Sequence, residues 1–181
     1  MKKRIVIGEK ERVGDWVAPR VRRGAPWANY EAIGLAQGDE LIAGVVFDSY
    51  VPAARCCMHV AGEGRTWLNR DFLWVCFDYA FEQMGCKTIV GLVDADNADA
   101  LRFDRHLGFQ ELARIPQGAG DCDLVVLAMQ REMCRWKQNR HGLPIGRRLR
   151  GLEWAGPIGP KPQPPGTIPG TKSGNVGEWA N

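Results

Sequence analysis

The residues from Arg55 to Phe109 constrain this chain more than any others. Arg55-Cys-Cys-Met-His-Val-Ala-Gly62 reads as a buried strand running into a glycine loop, Gly62-Glu-Gly-Arg-Thr66. From Leu68 to Met84 the apolar residues keep a helical period, with Asn69 or Thr66 as the cap and Gly85 as the stop. Trp74, Phe77 and Phe81 widen the apolar face, so this helix is expected to be covered on more than one side. A second strand, Cys86 to Val93, precedes Asp-Ala-Asp-Asn97, which opens a short helix ending at Leu107-Gly-Phe109. Strand, helix and neighbouring strand make a crossover unit with a parallel pair. The loop leaves backbone N–H groups free at a helix start, which suits a pyrophosphate.

The flanking segments supply the rest of a sheet. Glu9 to Val17 sets Val13, Trp16 and Val17 at helical spacing, and Pro19 limits its extension. The cluster Arg20 to Arg23 continues as a basic loop or further helix. Trp27 to Ala36 and Leu41 to Tyr50 read as antiparallel strands joined by Gln37-Gly-Asp-Glu40, and Pro52 ends the second. Beyond Phe109, Glu111 to Ile115 and Leu124 to Gln130 form a closing antiparallel pair around a 116–121 loop. Arg131 to Gln138 reads as a strand extension or a helical turn. The first eight residues receive no element, and their apolar run is too short for a signal peptide.

With 45% hydrophobic residues in 181, the chain can bury one good core, and no run approaches a membrane span. Residues 1–134 carry 16 Lys and Arg against 19 Asp and Glu, whereas residues 135–181 carry 8 against 2. The expected organisation is a domain over 1–138 and a tail over 139–181, basic and then Pro/Gly-rich, extended or disordered. Trp154 and Trp179 lie in that tail. The six cysteines show neither a Cys-x-x-Cys pair nor zinc spacing, so no metal site is expected. They read as reduced core thiols of a cytoplasmic protein.

Two fragments carry a resemblance. Asn97-Ala-Asp-Ala-Leu-Arg-Phe-Asp-Arg-His-Leu-Gly-Phe109 is similar to the Asn…Ala…Leu-Gly-Phe signature of the GNAT superfamily of acyl-CoA N-acyltransferases. Upstream, His59-Val-Ala-Gly62-Glu-Gly64 resembles that family's pyrophosphate loop, with His in its first place. The resemblance covers about Trp27 to Arg135. It implies an α/β fold with a mixed, mostly antiparallel central sheet flanked by helices and splayed at the strands of Met58 and Leu92. It also implies transfer of an acetyl group from acetyl-CoA to a primary amine of unknown identity, by direct attack.

In that reading Gly62, Gly64, Arg65 and Thr66 hold the pyrophosphate, Val60 supplies an N–H to the thioester carbonyl, and Asn97 meets the pantetheine arm. Arg102 and His106, four apart on one helix face, reach toward phosphates, and Phe103 packs on the arm or the core. His59, Glu31 and Asp48 are the candidate bases, with Asp94 behind them. Histidine changes charge nearest neutral pH, and the two carboxylates would act through a water relay. Many relatives place a general-acid Tyr where this chain has Asp104. An ionised aspartate is a poor proton donor unless burial raises its pKa, so that role is not carried over. In this the chain resembles the ribosomal-protein N-terminal acetyltransferases, many of which lack the Tyr. Short solitary domains of this look also occur in tailed bacteriophage genomes.

The acceptor is expected to be chosen by the N-terminal helix, the loop around Tyr50–Ala54 and the closing hairpin. Relatives are often monomers or homodimers. Two other classes of function stay open. One is a GNAT-like module that binds or assembles without catalysis. The other is a nucleic-acid-associated protein using the basic Arg135–Arg150 segment.

Overall fold

The computed structural model describes residues 2–21, 26–64 and 66–136. Arg22, Arg23, Arg65 and the tail, with its expected extended course and its Trp154 and Trp179, lie outside the described residues. The elements run β1 (Lys3–Val6), α1 (Lys10–Val17), a 3-10 turn (Ala18–Val21), β2 (Glu31–Gln37), β3 (Glu40–Val51), β4 (Arg55–Gly62) and α2 (Arg70–Asp78). A π-helical turn (Tyr79–Gln83), β5 (Thr88–Asp94), α3 (Ala98–Leu107), β6 (Gln110–Ile115), β7 (Leu124–Gln130) and a last 3-10 turn (Arg131–Met133) follow.

Seven strands form one sheet in the order β1-β2-β3-β4-β5-β7-β6. Every neighbouring pair is antiparallel except β4 with β5, the parallel pair that the crossover through α2 requires. Strand β1 is an addition to the expected set. Its Lys-Arg-Ile-Val sequence is half charged, yet Ile5 and Val6 are both 1% exposed, because pairing with β2 buries them on opposite faces. Strand β2 also starts later than Trp27, at Glu31.

The sheet separates two apolar layers. On one side α2 and the π-helical turn bury Phe72, Val75, Phe77, Tyr79 and Phe81 against Ile33, Phe47, Cys56 and Ile89. Each such side chain contributes about 1.5–3 kcal/mol relative to exposure. All of Phe72 to Asp78 is buried, so α2 is enclosed on more than one side, as its aromatic residues suggest. The 68–84 helix is not continuous, however. It begins at Arg70, capped by the Asn69 side chain accepting from Phe72 N–H at 2.9 Å, and loosens into the π-helical turn at Tyr79.

On the other side α1 seats Val13 and Val17 on β2 and β3. A Cβ on Gly44 would lie 2.5 Å from Val17 Cγ2, and one on Gly34 2.9 Å from Val13 Cγ2. These two glycines face each other in the β2–β3 register and set how closely α1 approaches. Helix α3 is capped by Asn97, which accepts from Ala100 N–H at 3.1 Å, and stops at left-handed Gly108.

Candidate active site

Strands β4 and β5 part midway. Their parallel rungs are Arg55–Thr88, Cys56–Ile89 and Cys57–Val90, and there pairing between them ends. Beyond that point β4 runs on beside β3 and β5 beside β7. The facing edges of Met58–Val60 and Gly91–Val93 therefore do not pair with each other, and a ligand can take their place. The split opens a cleft of about 140 Å³, closed at one side by Asn97, Ala100, Phe103 and Asp104 of α3 and rimmed by Arg20 and Val21.

His59 and Asp48 meet in this cleft wall. The β3–β4 register pairs Val46 with His59 and Asp48 with Cys57, so Asp48 and His59 are diagonal neighbours on the α1 face. Asp48 Oδ1 lies 3.1 Å from His59 Nε2 and is buried at 5% residue exposure. With Nε2–H donating to that carboxylate, Nδ1 carries the lone pair. The Trp27 ring sits 5.0 Å from the imidazole, and its Nε1–H donates to Gly14 O at 2.8 Å. A histidine oriented by a buried carboxylate is an arrangement that takes up protons at a fixed place.

Asp104 faces the cleft from α3, near Gly91. Burial raises its pKa to about 6. Burial thus moves this aspartate toward the proton-donating form, with about a tenth of it protonated at pH 7.

The glycine loop departs from its expected form. Helix α2 starts at Arg70, well past Gly64, and its cap already engages the Phe72 amide. Glu63 N–H is also used, donating to Ile42 O at 2.9 Å. Gly64 does adopt a positive φ of 69°. At Gly62 a Cβ would fall 2.2 Å from the Trp67 indole, which lies across it and contacts Phe103 at 5.5 Å between ring centres. The Glu63 carboxylate takes both Nε–H and Nη2–H of Arg20, at 3.0 and 2.6 Å, while that guanidinium stacks 3.8 Å over Trp16. This pair ties the end of the α1 segment to the loop beside the cleft mouth.

The structure gathers only part of the expected set. His59, Val60, Asn97, Phe103 and Asp94 line the cleft, and Asp48 joins through His59. Gly62, Gly64 and Thr66 follow at the end of β4, where Thr66 O accepts from Lys3 Nζ. Arg102 and His106 are exposed and do not line the cleft, and Arg102 is paired with Asp99 at 2.5 Å. Glu31 opposes Phe47 on the α2 face and lines a separate cavity. It is not placed to relay a proton to His59. The Tyr50–Ala54 loop is likewise displaced from its expected role: it precedes the closed end of β4, where Ala54 O accepts from Lys87 and Thr88 N–H. Trp27 and Trp67 did not stand out in the sequence as site residues, whereas Arg20 belongs to the basic cluster noted there. Trp27 and Trp67 flank motif residues, but only the folded chain says what they touch.

No protein-family model matches the sequence, and no curated protein matches it either. Solved structures match in shape. The assigned acetyltransferase yncA of Salmonella typhimurium, solved with its cofactor acetyl-CoA, aligns at TM-score 0.57 and 16% identity over 72% of this chain and 94% of its own. The ribosomal-protein-S18-alanine N-acetyltransferase of Escherichia coli aligns at 0.53 and 21% identity, over 71% and 93%. The spermidine/spermine N-acetyltransferase SpeG of Vibrio cholerae aligns at 0.58 and 11%, over 71% and 92%. At these identities the likeness is one of fold. The chain has the GNAT acetyltransferase fold.

Proposed function

We propose that this chain is an N-acetyltransferase that moves the acetyl group of acetyl-CoA onto a primary amine. The observation that carries the reading is the split between β4 and β5, with a carboxylate-held histidine in its wall and a half-buried aspartate on α3. The pantetheine arm lies along the unpaired strand edges, and Asn97, Phe103 and Ala100 form the wall it rests on. The Val60 N–H polarises the thioester carbonyl.

His59 Nδ1 takes a proton from the entering amine, and Asp48 steadies the imidazolium. The amine nitrogen attacks the carbonyl carbon, the C–S bond breaks, and Asp104 gives its proton to the departing sulfur. Amide and free thiol are the products; His59 then releases its proton to water and Asp104 regains one. In lacking a Tyr at position 104 the chain resembles the ribosomal-protein N-terminal acetyltransferases, and a ribosomal-protein-S18-alanine N-acetyltransferase is among the matched folds. A protein N-terminus is accordingly the first acceptor class to screen, before lysine and small amines. A cytoplasmic location fits the reduced, buried thiols of Cys56, Cys76 and Cys86.

Among the described residues no helix is long and apolar enough to cross a membrane. Most of the basic Arg135–Arg150 segment lies outside the described residues. Within them Arg135 donates to His106 O and sits 5.0 Å over Trp136.

Calorimetric titration with acetyl-CoA and CoA, beside an Ala100→Trp variant that plugs the cleft, tests the reading. Binding by the wild type and its loss in the variant are expected. Absence of binding by folded wild-type protein overturns it.

A further inference from the structure

The apolar layer beneath α1 draws on strands β1 to β4 and, among the described residues, on nothing from β5, β7 or β6. That half of the sheet has one covered face and one open face. On β7 the six residues Leu124-Val-Val-Leu-Ala-Met129 are all apolar, the pattern of a strand covered on both sides. Val125, Leu127 and Met129 are buried on the α2 side, as that pattern requires. Leu124 and Val126 alternate with them onto the other face and are only half-buried.

Register extends this open face into a shelf. Leu92, Val126 and Ala113 stand side by side in one row, and Asp94, Leu124 and Ile115 in the next. Leu92 is 44% exposed and Ile115 48%, so the shelf is accessible to a partner. It is also continuous with the cleft, because Leu92 and Asp94 line both. Gly91 faces Asp104 and the α2 side, which puts Leu92 on the face that carries His59 and Asp48. Trp27, 5.0 Å from the imidazole, bounds the same face on the β4 side. An amine held at His59 thus has its substituent led onto Leu92, and Asp94 favours a cationic end there over an anionic one.

We infer that this shelf holds the acceptor, and that the acceptor is the amino terminus of a polypeptide whose first and third residues are apolar. The inference rests on the transferase reading and names its substrate class. From β5 to β6 the shelf spans two strand spacings, about 10 Å, the length of roughly three residues of extended chain. Such a chain lays every second side chain on the sheet and turns the one between to solvent. With the amine at the split, the first side chain meets Leu92 and the third meets Val126 and Ile115.

The test uses the full chain with acetyl-CoA and two peptide amides of equal composition, Leu-Ser-Leu-Ser and Ser-Leu-Ser-Leu. Thiol release gives kcat and KM, and calorimetry reports donor binding. The first peptide is expected to have a KM at least about tenfold lower, in line with burial of two leucine side chains. Leu92→Ser and Ile115→Ser, both at exposed positions, should each cut that ratio about threefold or more, with melting curves to show that they fold. No binding of acetyl-CoA by folded wild type overturns the transferase reading, and this inference with it. With the donor bound, the inference alone is overturned by equal KM for the two peptides, by turnover of neither, or by an unchanged ratio in either variant. A wild-type dimer that Ile115→Ser dissociates would give the shelf to a second copy and overturn it as well.

Discussion

At its start β4 is locked between β3 and β5, and at its end it is held by β3 alone. The closed end buries Cys56 and Ile89 completely, and Ala54 O takes two N–H groups from the chain entering β5. Three residues further on, Met58 to Val60 expose a backbone edge and His59 turns toward Asp48. One strand thus supplies core at one end and chemistry at the other. The difference comes from where its neighbour stops pairing, not from any change in strand-forming residues. Binding sites arise where a scaffold leaves hydrogen-bonding groups available but fixed, and the closed end is what fixes the open one.

That separation can be broken by substitution. Ile89→Ala at the closed end should cost about 2–5 kcal/mol of stability in denaturant unfolding. Its folded fraction should bind acetyl-CoA within about threefold of wild type; a loss of affinity as large as the loss of stability would mean the two ends are not separable. Asp48→Asn should lower kcat/KM about 100-fold or more, measured by thiol release, while leaving donor affinity unchanged. Activity within threefold of wild type would remove His59–Asp48 as the base.

Asp104→Asn should do opposite things to stability and turnover. The folded-state pKa near 6 lies above the ordinary aspartate value of 3.8, so between about pH 4 and 6 the folded chain holds a proton that the unfolded chain releases. This contribution to stability is fully present below the lower value and is lost as pH rises through the upper one. The asparagine variant escapes that loss. It should be roughly 1–2 kcal/mol more stable than wild type at pH 7 and no more stable at pH 4, with reduced turnover throughout. Asp78, raised to about 6 by burial and by Glu82 despite Arg131, titrates alike in both proteins and cancels in the comparison. Equal stability at pH 7 would show Asp104 to be well solvated.

The two Asn caps give the smallest and cleanest contrast. Asn69→Ala and Asn97→Ala should each cost about 1 kcal/mol. Only Asn97→Ala should also weaken acetyl-CoA binding, because only Asn97 lines the cleft. Equal effects on affinity would return Asn97 to a purely capping role.

Much of this was written locally. The Asn69 and Asn97 caps, the left-handed stop at Gly108, the turn at Gly38 and the enclosed α2 follow from residues within a few positions of one another. So does the crossover that makes β4 and β5 parallel. Strand β1 was not legible, because four half-charged residues become a strand only through β2. Nor was the path from Gly62 to the Asn69 cap: Gly62-Glu-Gly64 looks like a loop against a helix, and only Trp67 folded over Gly62 shows that the chain does something else first.

The sequence by itself determined the order of elements, the apolar faces and the candidate residues, because periodicity, capping and turn chemistry act over a few residues. Only the tertiary structure decided that Asp48 belongs to His59, that Glu31 faces another cavity, and that Asp104 is buried enough to hold a proton. Strand register, the face on which a side chain emerges and the loss of solvent around a carboxyl are set by segments far apart in the chain, and they exist only once those segments have packed.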